Sequence, residues 1–196
     1  MRHLTLFLLA SLVASPAAHA AIIEFDTNPL IGNPALTTPG RQVVGGEPSL
    51  TFDIATDVLV FDSAQFGLTN PLSFFNGLVA GLPAEGTDVV VVNDTGTPFG
   101  AGNAANLIAA QMTTSAPGLF IYFNTNLGLA RLVFSPDLGD ETLDLAVLAR
   151  FTNITDLGQL PSISASNFAV PEPATLALLA AASLGLLRRR IQAQPR

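Results

Sequence analysis

Between residues 21 and 169 the chain sets short apolar runs between clusters of turn-forming residues, a pattern that predicts strands rather than helices. Strands are expected over residues 22–26, 49–54, 57–62, 88–93, 118–124, 130–135, 143–151 and 162–168. The runs Val89-Val90-Val91-Val92 and Phe120-Ile121-Tyr122-Phe123 are continuously β-branched or aromatic, which predicts strands covered on both faces. In residues 144–151, Leu145, Val147, Ala149 and Phe151 alternate with Asp144, Ala146, Leu148 and Arg150, which predicts that one face is buried more fully. Gly45-Gly46, Gly81-Leu82-Pro83, Asn93-Asp94-Thr95-Gly96, Ala116-Pro117-Gly118 and Pro136-Asp137-Leu138-Gly139 supply the turns. Many short strands at this spacing predict a mainly β domain, an antiparallel sandwich or jelly roll. One short helix is expected over residues 104–112, capped by Asn103. Residues 72–82 read as a second helical turn or a loop with apolar anchors.

The apolar pattern changes character at both termini. Met1-Arg2-His3 is a short positive region, residues 4–14 are apolar, and Ala18-His19-Ala20 is an A-x-A cleavage site. Such an apolar core is too short to span about 30 Å of hydrocarbon at about 1.5 Å per residue, so residues 1–20 read as a cleaved secretory signal. The mature chain then begins at Ala21. Near the other terminus, Val170-Pro171-Glu172-Pro173 precedes an uncharged Leu/Ala-rich stretch over residues 174–187, and Arg188, Arg189 and Arg190 follow. As a helix that stretch is about 21 Å long, short for a stable span, and it has no polar face to turn to water. Arginines at one end of an apolar helix stay cytoplasmic, which places the preceding body outside. The two prolines keep the junction extended and accessible to a processing enzyme.

These three ordered parts resemble the PEP-CTERM sorting signal of Gram-negative bacteria, over about the last 25 residues. The resemblance implies that an exosortase reads Pro171, Glu172 and Pro173, that residues 174–187 form a transmembrane helix before processing, and that Arg188, Arg189 and Arg190 are the cytoplasmic stop. It also implies an envelope or exopolysaccharide and biofilm matrix destination. Residues 191–196 extend the cytoplasmic end beyond the usual pattern. The chain thus divides into a signal peptide (1–20), a β-rich extracytoplasmic domain (21–169), the sorting signal (170–190) and a cytoplasmic end (191–196).

Composition narrows what the body can do. Residues 21–169 hold fourteen Asp and Glu against Arg41, Arg131 and Arg150, a net eleven negative charges, so nucleic acid is an unsuitable partner. The chain has no cysteine, which removes disulfides and thiolate chemistry. It has no lysine, and both histidines, His3 and His19, fall in the signal peptide. Imidazole-assisted nucleophiles, histidine zinc sites and lysine Schiff bases are therefore out of reach. A carboxylate pair of the glycosidase kind is the chemistry left, and nothing singles one out.

No catalytic residue is assigned, and the body is expected to act as a structural or interaction protein. The alternative is a carbohydrate-binding or adhesin module. Asp137, Asp140, Glu141 and Asp144 gather four carboxylates in eight residues, a candidate calcium loop that lacks EF-hand spacing and competes with an ordinary solvated acidic turn. The twelve phenylalanines outside the signal read as core. Arg131 and Arg150 read as structural partners of nearby carboxylates. Signal peptidase and exosortase are the expected processing partners, with exopolysaccharide as a further one.

Overall fold

The computed structural model describes residues 20–33, 40–46, 48–96 and 99–171. In chain order the strands are β1 (Ile22–Phe25), β2 (Val43–Val44), β3 (Ser49–Leu50), β4 (Val58–Phe61), β5 (Phe74–Gly77), β6 (Val89–Val92), β7 (Gly118–Asn124), β8 (Leu129–Ser135), β9 (Leu145–Phe151) and β10 (Phe168–Ala169). The helices are α1 (Ser63–Phe66) and α2 (Ala101–Ala109), with short 3₁₀ turns at Val79–Gly81, Leu157–Ser162 and Ala165–Asn167. The protein is mainly β, as its pattern predicts.

Two sheets form. The smaller has the order β1-β4-β10, and the larger β2-β9-β8-β7-β6-β5, with β3 also pairing β9. The expected antiparallel pairing holds only within β7-β8-β9, and the other six ladders are parallel. The reason lies in the connections. Antiparallel neighbours can be joined by a tight turn, as β7 and β8 are through residues 125–128, where Gly128 takes φ 65°. Parallel neighbours need a crossover, and α2 supplies one between β6 and β7.

The larger sheet is covered on both faces. Val89 and Val91 join the core shared with the smaller sheet, while Val90 and Val92 face the layer containing α2. Phe120 and Tyr122 likewise face α2, and Leu119 and Ile121 the smaller sheet. Strand β9 departs from expectation: every residue except Arg150 is buried, on both faces. A register shift opposite Leu132 and Val133 puts Ala146 and Ala149 into the same core, so simple alternation fails there.

Helix α2 begins three residues before the expected start, with Gly100 as cap and Asn103 inside it, exposed. Its register is set by burial of Ala101, Ala104, Ala105 and Ile108, a single stripe at helical spacing. Residues 72–82 divide into β5 and a 3₁₀ turn, and most of the strand expected over residues 162–168 is 3₁₀ turn. The phenylalanines are core: eight are buried, and Phe25, Phe74, Phe75 and Phe123 are partly buried against the two apolar clusters. Phe66 ties the sheets together. Its ring lies edge-on to Phe61 of β4 at 5.7 Å and to Phe134 of β8 at 5.1 Å.

Candidate functional site

Strand β10 ends two residues before Pro171. Phe168 and Val170 are buried, Pro171 is exposed, and β10 pairs with the middle strand of the smaller sheet. The folded body therefore reaches to one residue before the motif. Asn167, only 2 % exposed, anchors this end. Its Nδ2 donates to the carbonyls of Ile54 and Asp57, each at 2.9 Å, and its Oδ1 accepts from the Ser164 amide at 2.9 Å.

The opposite edge of that sheet carries the expected signal-peptide cleavage point. Ala20 is exposed, and β1 begins two residues later. The Ala21 amide donates to Asp57 Oδ1 at 2.8 Å, and the Ala21 carbonyl accepts from the Val58 amide at 2.9 Å. Because β1, β4 and β10 run parallel, the Ala20–Ala21 bond lies where the strands start and Pro171 where they end. Loop 53–57 touches both ends, through Asp57 on one side and Asn167 on the other.

Asp57 is buried. Its Oδ2 accepts from the Asp53 amide at 2.8 Å, and Thr56 Oγ1 lies 3.4 Å from Oδ1. Burial pushes this carboxyl up, and the hydrogen bonds from Ala21, Asp53 and Thr56 outweigh it and hold it below the usual aspartate range.

Ala18, Glu172, Pro173, the apolar stretch 174–187 and Arg188, Arg189 and Arg190 lie outside the described residues. Among the described residues no helix is long and apolar enough to cross a membrane.

The candidate calcium loop is built by hydrogen bonds of its own. Asp137 accepts from the Gly139 amide at 2.8 Å, from the Ala116 amide at 3.3 Å and from the Ser115 hydroxyl. Asp140 Oδ1 accepts from the amide and the hydroxyl of Thr142, at 2.7 and 2.6 Å. These bonds, with Arg41 nearby, hold its carboxyl below the usual range. Asp144 accepts from the Gln42 amide at 2.5 Å, and Glu141 is exposed. Among the described residues no group of three or more acidic or histidine side chains is arranged to hold a metal ion. Arg41 fills the centre of this region. Its Nε donates to the Leu143 carbonyl at 2.9 Å, and its terminal nitrogens reach the carbonyls of Gly102 and Asp140 and Asn106 Oδ1.

Sequence reasoning gave Arg41 no role. Its being one of three cations in an acidic body was the available signal. Arg131 donates to the Tyr122 hydroxyl at 3.3 Å and stands across from Arg150 in the β8–β9 ladder.

The pattern at Asp137 and Asp140 extends through the body. Nine of the ten aspartates in residues 21–169 accept a backbone N–H with a side-chain oxygen. Among the described residues the exception is Asp26, which with Glu24 lines a cleft of about 520 Å³ between β1 and Gly45, Gly46, Pro48, Leu50, Val147 and Leu148.

Residues 169–191 match the PEP-CTERM protein-sorting motif. The chain carries an exosortase sorting signal. It is therefore an exosortase-targeted, exported protein, tethered to the membrane before processing. The PEP-CTERM match begins at Ala169, inside β10, so signal and fold share that residue. No curated protein and no solved structure matches the chain.

Proposed function

We propose that this PEP-CTERM protein is a non-enzymatic structural or interaction component of the bacterial envelope or exopolysaccharide matrix, released there after signal peptidase and exosortase have acted on its two ends. The observation that carries the reading is the commitment of nine aspartates to backbone amides. In a body without His, Lys or Cys, carboxylates are the principal candidates for acid–base or nucleophilic work; here Asp53, Asp62, Asp137, Asp140 and Asp156 cap local turns, and Asp57, Asp88, Asp94 and Asp144 fasten more distant segments. Acidity of this kind specifies a fold and leaves a negatively charged surface for contact.

The processing reading assigns Pro171, Glu172 and Pro173 to recognition, Ala18 and Ala20 to signal-peptide cleavage, and Arg188, Arg189 and Arg190 to the cytoplasmic stop. It is tested with an epitope inserted at the exposed β7–β8 turn, at Asn126-Leu127. Replacing Pro171 and Pro173 by alanine leaves a full-length, membrane-held species while the parent is shortened and released. Identical processing of both forms would overturn the assignment. Leu179→Asp puts a charge into the apolar stretch at a cost of about 2.5–3.5 kcal/mol on insertion scales. It yields an unprocessed precursor, whereas Glu141→Gln is sorted normally.

The cleft carrying Glu24 and Asp26 supports a second reading, a polysaccharide-binding module. That reading expects retention on matrix polysaccharide, weakened by Glu24→Gln with Asp26→Asn. The same pair of substitutions tests a carboxylate-pair glycosidase, since loss of a measured hydrolysis would restore an enzyme reading.

A further inference from the structure

We infer that Asp57 is a built site for the α-ammonium group that signal-peptide removal creates at Ala21, so that cleavage itself completes an ion pair in the fold. The inference rests on cleavage after Ala20. Hydrolysis of the Ala20–Ala21 peptide bond adds one water: its hydroxyl goes to the Ala20 carbonyl carbon, and the Ala21 nitrogen leaves as an amine. At neutral pH the new carboxyl releases a proton and the amine takes one up, giving a carboxylate on the departing signal and an ammonium on the body.

Several observations converge on Asp57. The carboxylate is 6 % exposed, and its partners are the Ala21 and Asp53 amides and the Thr56 hydroxyl, with no cationic side chain among them. The donors that hold this buried carboxylate are neutral, and an ammonium at hydrogen-bond distance adds a charge-assisted bond where the Ala21 amide now donates. The Ala21 nitrogen already sits 2.8 Å from Oδ1, so the ammonium needs no rearrangement to pair. Ala21 is held from its carbonyl side as well, by the Val58 amide at 2.9 Å, and β1 then continues in register along β4. Ala21 is otherwise exposed, which leaves water for the other two ammonium hydrogens.

Charged groups nearby are few. Glu24 lies further along β1 on an exposed position. Asp53 meets Asp57 through its backbone, its amide donating to Asp57 Oδ2 and its carbonyl accepting from the Asp57 amide at 2.8 Å, and turns its own Oδ1 to the Ala55 amide. On the β10 side the contacts come from uncharged Asn167. The new ammonium therefore meets Asp57 as its closest partner.

The chain's composition provides the test. With no lysine in the sequence, the α-amine is the one primary amine of the processed protein. Protein secreted by the producing cells is purified and its N-terminus read by mass spectrometry. The amine is then reductively methylated with ¹³C-formaldehyde, which keeps it titratable, and its ¹³C resonance is followed against pH in the folded and the urea-unfolded protein. Pairing with Asp57 raises the amine pKa by about one unit or more over the unfolded value, which lies near about 7.7–8.0. Asp57→Asn returns it to the unfolded value. Should that variant fail to fold, the folded-against-unfolded comparison in the parent protein decides alone. A protein that begins at a residue other than Ala21 overturns the cleavage assignment. One that begins at Ala21 with the same amine pKa folded and unfolded overturns the ion pair and leaves the cleavage assignment standing.

Discussion

Replacing Asn167 by alanine removes, in one step, the bonds that fasten the strand next to the sorting motif. Two carbonyl acceptors, at Ile54 and Asp57, and one amide donor, at Ser164, lose their partner. The Asp57 carbonyl bond is fully buried, so that group bears the full penalty of about 1–3 kcal/mol for an unsatisfied polar atom. The other two bonds are partly buried and lose about 1 kcal/mol each, because water can replace part of what is lost. The expected total is about 3–5 kcal/mol. For a domain of this size one kcal/mol moves the melting temperature by about 2–4 °C, so Asn167→Ala lowers it by about 6–20 °C. The assay is thermal and urea unfolding of the secreted protein, with the urea slope unchanged so that the loss reports native-state stability. Local loosening has its own readout: Phe168, buried beside Asn167, becomes a site of early chymotrypsin cleavage. Ser166→Ala is the control, an exposed hydroxyl that among the described residues bonds Ser164 Oγ, and it stays within about 0.5 kcal/mol. Loss of less than about 1 kcal/mol in Asn167→Ala would refute the idea that these bonds hold the junction closed.

Phe66→Ala deletes the ring that joins Phe61 to Phe134 and costs about 3–5 kcal/mol in urea unfolding, while a loss under about 1 kcal/mol would mean the sheets do not rely on it. Asp57 and Asp140 both ionise below the usual aspartate value of about 3.9, so each stabilises the fold above that pH and stops doing so as pH falls through its lower folded value. The urea midpoint should therefore hold steady between about pH 7 and 5, where no body histidine can titrate, and fall below about pH 4. A fall beginning near pH 6 would contradict this. Because the loop around Asp137, Asp140, Glu141 and Asp144 is held by its own amides and by Arg41, neither millimolar calcium nor EGTA should move the melting temperature. A rise with calcium would instead mark the loop as a native-state ligand site.

Local order, carried by residues within a few positions of one another, was readable along the chain. The Val89–Val92 and Phe120–Phe123 runs announced strands buried on both faces, since only a sheet with two covered sides can hold an unbroken apolar run. The sorting motif was legible in the same way, because Pro171, Glu172 and Pro173 and the segments after them are read in order along the chain. The lack of His, Lys and Cys in residues 21–169 likewise limited the chemistry before any fold was known. Partnership across the chain was not readable. Parallel against antiparallel pairing depends on how connections cross between layers, which short strands do not encode. The β9 register shift depends on β8, and the start of α2 on which alanines meet the sheet rather than on the local cap. The aspartates looked like scattered charge until the fold brought backbone amides to them. Asp57 had no visible role at all, because Ala21 lies 36 residues before it. Only the parallel pairing of β1 and β10 on either side of β4 brings Ala21, the residue next to the sorting motif and that carboxylate to one small sheet.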